Sequence, residues 1–271
     1  SNITVVADLS KIADSGMQPL NYEIIYPGDV PDNAIKVESR LPDRVSVEVE
    51  GRSQKNLEVK WVYSGKVKTG YTPDKDSWFS FVRTKPATTD SKIGLCIVAA
   101  FTSKAPEHIV GTNICAGKAS YDSIESETGY CLLGKDFVEI GFLNEGGKAA
   151  QERAINEKLD YFQQMLLLKD GKAIPTEVFR NRTTARRALA MNDSVCCIVE
   201  TDDRMHIDDF TACIAEMGFS DAIYLDVGSW SKGWCRDKQG RFSVLGKNHR
   251  STHLQTNWIL IKKKQTKAKK K

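Results

Sequence analysis

Val45, Val47 and Val49 alternate with Ser46, Glu48 and Glu50, the period-two signature of a half-buried strand. Leu57, Val59, Trp61 and Tyr63 repeat the alternation, with Gly51 to Lys55 as the connecting turn. Together they predict an antiparallel hairpin. Gly70 to Asp76 reads as a loop before a further strand, Trp78–Val82. Gly94 to Phe101 is a continuous apolar run of strand length, which predicts a central strand buried on both faces. His108–Cys115 and Tyr130–Leu133 follow as strands, the latter joined through Gly134-Lys135-Asp136 to Phe137–Phe142. Met165–Leu168 and Lys172–Ile174 flank Asp170-Gly171, a strong hairpin signal. Arg187–Met191 and Val195–Glu200 flank Asn192-Asp193-Ser194 in the same manner.

Two segments carry helical spacing instead. Gly147 to Asp160 has helical composition, with Ala150, Ala154 and Ile155 on one face. Ile207, Phe210, Ile214 and Met217 define a clearer amphipathic helix. Asp208 and Asp209 sit in its first turn, where the helix dipole favours acids, and Gly218 is placed to cap its end. Ala222 to Leu225 then reads as a buried strand. The pattern predicts an α+β protein, with a mixed or antiparallel sheet core, a few packed helices and a β-rich N-terminal part. Its expected divisions are 1–90, 91–261 and a disordered Lys-rich tail, 262–271.

Charge changes the picture once it is resolved along the chain. The 271 residues carry a formal net charge of +4, but the last ten hold seven Lys and no acid. Removing them leaves 32 basic residues against 35 acidic, a net of −3. A body of that sign argues against nucleic acid as the main partner. At 41% hydrophobic and 27% charged, the composition is that of a globular protein long enough to bury a core without staples. No apolar run approaches the ~18 residues a membrane-spanning helix needs. The chain opens on polar Ser1-Asn2, with no signal peptide. If these residues are a scar of tag removal, an exported precursor has lost its signal and its absence decides little.

The seven cysteines include no CxxC pair, and five of them lie in or beside apolar runs, where a thiol behaves as a small hydrophobe. Their odd number argues against a complete disulfide framework. His108, His206, His249 and His253 lack metal-ligand spacing. No cofactor is required by the pattern, and a divalent cation stays open. No P-loop or GxGxxG is present.

The segment that carries chemistry is Asp221 to Gly233, DAIYLDVGSWSKG. An apolar strand delivers Asp226 at its C-terminal end. Gly228 lets the backbone turn away and approach a ligand closely. Ser229 and Ser231 supply hydroxyls, and Lys232 a cation. An Asp at a strand mouth over a Gly/Ser turn is a common placement for an active-site acid; the competing reading is an Asp that caps its own turn.

From Arg186 to Gly233 the chain resembles the phosphodiester glycosidase family, which includes a lysosomal enzyme and many bacterial relatives. Arg186-Arg187-Ala188-Leu189-Ala190 is similar to the family's Arg-Thr-Ala-Ile-Gly strand. Val195–Glu200 matches its next strand, and Ile207 to Gly218 its amphipathic helix ending in Leu-Gly. Leu225-Asp226-Val227-Gly228-Ser229-Trp230-Ser231 resembles its Leu-Asp-Gly-Gly-Gly-Ser-Ser loop. Earlier, Val98 to Thr102 corresponds to an Asn-Gly-Gly-Phe-Phe segment, Val110-Gly111-Thr112-Asn113 to a Gly-containing strand, and Phe162 to Lys172 to the stretch around an Asp-Gly hairpin. The resemblance spans roughly Leu95 to Ile261. Val227, Trp230, Ala99 and Ala100 place bulk where the family keeps backbone bare.

The resemblance implies a hydrolase that cleaves a sugar from a phosphodiester-linked glycoconjugate, in an extracytoplasmic setting. It implies Asp226 as catalytic carboxylate and Arg186 as phosphate ligand. Gly228, Ser229, Trp230, Ser231, Lys232, Thr102 and Asn113 would border the substrate. Trp230 and Trp234 are placed either to stack on a sugar or to pack under the loop, with stacking favoured for Trp230 because it replaces a small residue. A second carboxylate would come from Glu107, Glu200 or Asp202. Arg187, adjacent to Arg186, must point to the opposite face and is expected as a solvated or salt-bridged surface group. Two other readings stand beside this one: a non-catalytic carbohydrate- or phosphate-binding protein on the same scaffold, and a structural protein held to an anionic surface by its Lys tail.

Overall fold

The computed structural model describes the backbone of several strands between residues 3 and 69. It describes the chain more fully over 71–73, 75–103, 108–120, 128–177, 181–201, 204–228, 231–237 and 240–264. Three larger sheets of nine, five and five strands, all paired antiparallel, and two α-helices form the molecule over these residues. The fold is α+β, as the periodicity predicts.

Most predicted hairpins form at the expected places. Arg44–Gly51 pairs with Trp61–Ser64. Gly129–Leu133 pairs with Val138–Phe142. Arg187–Met191 pairs with Cys196–Thr201. At the Asp170-Gly171 turn both residues take positive φ, 49° and 75°, the backbone that a two-residue type I′ hairpin demands and that Asp-Gly favours. The His108–Cys115 strand is shorter than predicted. It forms only over Asn113–Cys115, preceded by a single bridge between Thr102 and Ile109.

The nine-stranded sheet carries the order 3–7, 44–51, 61–64, 67–69, 196–201, 187–191, 221–224, 166–169, 172–173. Val67–Thr69 pairs with Cys196–Thr201, so the N-terminal strands extend the sheet that ends at Asp226. Helix α1, Lys148–Asn156, buries Ala150 and Ala154 against Ile114, Leu132 and Tyr161 of a five-stranded sheet. Helix α2, Ile207–Glu216, is opened by His206, whose Nδ1 accepts from the Asp208 N–H at 3.2 Å. It buries Ile207, Phe210 and Ile214 on the face of the large sheet formed by Ala188, Ala190, Val199, Ala222 and Tyr224. The opposite face, with Leu189, Ile198, Ile223 and Leu225, packs into the main core.

The remaining sheet runs 242–245, 233–236, 93–98, 258–263, 77–82. Every residue of Ile93–Val98 is buried, and the strand lies between two others, as its unbroken apolar run predicts. Trp258–Lys263 runs two residues into the segment that composition alone assigns to a disordered tail. Residues 265–271 lie outside those described.

Candidate functional site

Asp226 sits where two sheets meet. Its strand pairs with Arg187–Met191 in the register Ala188 to Tyr224, and the Leu225 N–H donates to the Arg187 carbonyl at 2.9 Å. Continuing that register sets Arg186 opposite Asp226, at the spacing of cross-strand neighbours on one face, roughly 5 Å between Cβ atoms. The Asp226 N–H then leaves its own sheet and donates to the Ala99 carbonyl at 2.9 Å, at the end of the buried Ile93–Val98 strand.

Arg186 is 1% exposed. Its Nε donates to the Met205 carbonyl at 3.0 Å, one Nη to the Arg182 carbonyl at 2.6 Å, and the other to the Tyr224 hydroxyl at 3.4 Å. Its backbone is tied to Thr201 through both the N–H, which donates to Oγ1 at 2.8 Å, and the carbonyl, which accepts at 2.9 Å. A guanidinium so enclosed is a fixed charge, with three of its five N–H groups used by the protein. Tyr224 lies on the same face, two residues before Asp226. Burial pushes its hydroxyl up to about 12 against the lowering pull of Arg186, and Asp226 adds to the rise. Phe101 closes on Tyr224, with ring centroids 5.9 Å apart.

Beside the carboxylate, the segment from Val98 to Thr102 is held from several sides. Asn257, fully buried, accepts from the Ala100 N–H at 2.7 Å and donates to the Ala100 carbonyl at 3.0 Å. Gln164 reaches the Ala99 carbonyl at 3.4 Å. The Thr102 and Thr256 hydroxyls share a hydrogen bond of 2.7 Å. Bulk at Ala99 and Ala100 is thus absorbed into packing, with both residues fully buried.

The other residues singled out by sequence scatter more widely. Gly228 takes a positive φ of 24° with open space where a Cβ would stand, so the turn beyond Asp226 leaves room there. Ser229 and Trp230 lie outside the described residues, as do Glu107 and Asp202. The Ser231 hydroxyl both donates to the Asn248 carbonyl and accepts from the Asn248 N–H, at 2.9 and 2.8 Å; it is engaged in closing the loop back onto 246–248. Lys232 is exposed, and its carbonyl accepts from Gln255. The Asn113 amide is held by Arg83 and the Gly111 carbonyl, within the sheet that packs on α1.

Two expectations are corrected and one open alternative is decided. Trp234 is buried among Cys96, Val98 and Leu260, the packed arrangement of the two that the sequence leaves open. Arg187 is not a surface group: it is 2% exposed, and Glu200 meets its Nε and one Nη at 3.1 Å. Glu200 is opposite Arg187 in register, so it faces away from the side shared by Arg186 and Asp226, because successive strand residues alternate faces. It is therefore no partner carboxylate for Asp226. Tyr224, Gln164 and Asn257 were not singled out from sequence. A polar Asn immediately before the apolar run Trp258–Ile261 was the available signal for the last.

None of the seven cysteines is joined in a disulfide. Burial pushes Cys96 and Cys235 up to about 12 and raises Cys131 and Cys196 well above their ordinary value, so these thiols are the inert, core kind. Among the described residues, no three His, Cys, Asp or Glu side chains converge to hold a metal ion, and no helix is long and apolar enough to cross a membrane.

The antiparallel sheets and the two short helices form a fold shared with a solved catalytic domain. The chain has a TM-score of 0.53 to the catalytic domain of zebrafish N-acetylglucosamine-1-phosphodiester alpha-N-acetylglucosaminidase, auto-inhibited by its pro-peptide. The match covers 98% of this chain and 89% of that one at 13% identity, a distant relationship of fold. A hypothetical protein from Synechocystis matches over 83% of this chain and 63% of its own, with 10% identity and a TM-score of 0.47. No family model and no curated protein sequence matches the chain.

Proposed function

We propose that this protein is a hydrolase of sugar-1-phosphodiesters, with Asp226 as the carboxylate that acts at the anomeric carbon. The observation that supports the reading is that Arg186 and Asp226 both act on the Tyr224 hydroxyl, consistent with the strand register, continued by two residues, setting them on one face of the large sheet at the turn through Gly228. The fold shared with a phosphodiester glycosidase catalytic domain supports it.

The chemistry asks little more of the protein than that pair supplies. When the bond between the anomeric carbon and oxygen breaks, the departing group is a phosphate monoester, whose second pKa is about 6. It leaves as a stable anion, so protonating the leaving group matters less than for an ordinary glycoside, which uses two carboxylates. One carboxylate, activating water or attacking directly, suffices in principle. Arg186 acts as a positioning group and buried positive charge beside Asp226. Exposed Lys232 meets the phosphate, with Thr102 at the margin.

The test is release of free sugar from synthetic alkyl and nucleotidyl diesters of sugar 1-phosphates, read by reducing-sugar assay. Asp226→Asn should lose about 10²-fold or more in turnover while keeping its circular dichroism and melting temperature. Full turnover in that variant rejects Asp226. If no sugar-1-phosphodiester is hydrolysed, yet one binds to the wild type and not to Asp226→Asn, the binding-protein reading replaces the enzyme.

A further inference from the structure

At the far end of the sheet that meets Asp226 lies a second cleft of about 510 Å³, lined by Lys92, Lys135, Lys262, Lys263 and Lys264 around Trp78. The lysines arrive from three separate parts of the chain. Lys92 precedes the Ile93–Val98 strand, Lys135 comes from the hairpin turn after Leu133, and Lys262–Lys264 end the Trp258–Lys263 strand. Their convergence is fixed by register. Lys262 is paired with Trp78 on one side and Ile93 on the other. The Lys263 N–H donates to the Lys92 carbonyl and the Lys264 N–H to the Asp76 carbonyl, each at 2.8 Å. The Lys135 ammonium stands 5.2 Å from the centre of the Trp78 ring.

Asp90 is the one acid among the described residues that lines the cleft, and its Oδ1 already accepts from the Lys92 N–H at 2.9 Å. Among the described residues, Lys92, Lys135, Lys262 and Lys264 make no ion pair. The four lysines without an ion pair around one concavity repel one another, and a multivalent anion seated between them removes that repulsion. The volume falls in the range of small-ligand sites, roughly 300–1,000 Å³. The cations are all Lys, compact point charges whose three rotatable donors bind phosphate oxygens without a fixed geometry.

We infer that this cleft binds a compact anion bearing several phosphate groups. The site is separate from Asp226. Strand residues Val98 and Ile93 mark the two ends, and at ~3.3 Å per residue they lie roughly 16 Å apart. An occupant here need not compete with a substrate there. The inference does not depend on the proposed hydrolase activity.

The experiment is calorimetric titration of the full-length chain with inorganic tripolyphosphate, at low and high salt. The expected result is saturable binding that weakens with salt and falls at least about tenfold, or ~1.4 kcal/mol, in Lys92→Gln/Lys135→Gln/Lys262→Gln. Changing Lys267, Lys269, Lys270 and Lys271 to Gln should leave affinity within about twofold, and Asp226→Asn should leave it unchanged. Should the triple variant fail to fold by circular dichroism, Lys135→Glu alone provides the same comparison. Unchanged affinity in the cleft variants overturns the inference. So does loss of binding in the tail variant, or binding of long polyanions such as heparin with none of tripolyphosphate.

Discussion

The Arg186 guanidinium donates to the Tyr224 hydroxyl at 3.4 Å, and backbone carbonyls hold the rest of its plane. Met205 and Arg182 each accept from its guanidinium, so its position is set before any ligand arrives. A lysine at this position keeps the charge but cannot reach both carbonyls and Tyr224 from one rigid plane. Arg186→Lys is expected to lower stability by about 2–4 kcal/mol, because buried acceptors lose charge-assisted partners. Chemical denaturation measures this. A variant as stable as the wild type would show that the three contacts contribute nothing.

Asn257 makes the analogous contribution on the other side of the carboxylate. Its amide satisfies both the N–H and the carbonyl of Ala100, with both residues fully buried. Asn257→Ala strands both groups and should cost about 2–4 kcal/mol. It should also reduce turnover beyond the loss of folded protein, since Ala99 anchors the Asp226 backbone. Measuring kcat on the folded fraction separates the two effects; an unchanged kcat would limit Asn257 to stability.

On the reverse face, Arg187 depends on Glu200. Removing the carboxylate charge by Glu200→Gln leaves a 2% exposed guanidinium without its counter-ion, which costs about 3–5 kcal/mol. Arg187→Met combined with Glu200→Leu should restore much of that loss, because two apolar side chains need no compensation. A double variant no better than Glu200→Gln would mean that the pair matters through shape rather than charge.

The buried thiols set an alkaline limit. Cys96 and Cys235 have their ionisation pushed from the ordinary 9.0 up to about 12 by burial. Between those values the unfolded thiol has lost its proton while the folded one keeps it. The unfolded state therefore binds fewer protons, and stability falls as pH rises from about 9 to about 12, by about 1.4 kcal/mol per unit for each such group. Urea unfolding at pH 8, 9.5 and 10.5 should show the decline, with a shallower slope in Cys96→Ala. The same slope in both proteins would remove Cys96 from the account.

Periodicity made the strands and α2 legible, because each buries one face of a regular element: Ala188, Ala190 and Phe210 announce themselves by spacing. Asp226 was legible as an acid at the end of an apolar strand. Arg187 was misread because a charged strand residue normally faces water, and only the facing Glu200, supplied by a neighbouring strand, makes its burial tolerable. Trp234 was equally opaque: an aromatic beside a suspected site looks the same whether it faces a sugar or Leu260. Ser231 was read as a ligand donor because its partner, the backbone of Asn248, lies seventeen residues on and leaves no mark in the local pattern. The basic cleft escaped for the same reason, since its lysines come together only through strand register.

The placement of Trp258–Lys263 has a consequence for how the chain reaches its fold. This late strand lies between Ser77–Val82 and Ile93–Val98, two segments made far earlier on the ribosome. Until it emerges, those strands have exposed edges and no common partner, and pairings of such long sequence separation form slowly. Holding unpaired apolar strands during that interval is an aggregation hazard. Assembly of the ground on which Asp226 rests therefore waits for a strand synthesised long after its two neighbours.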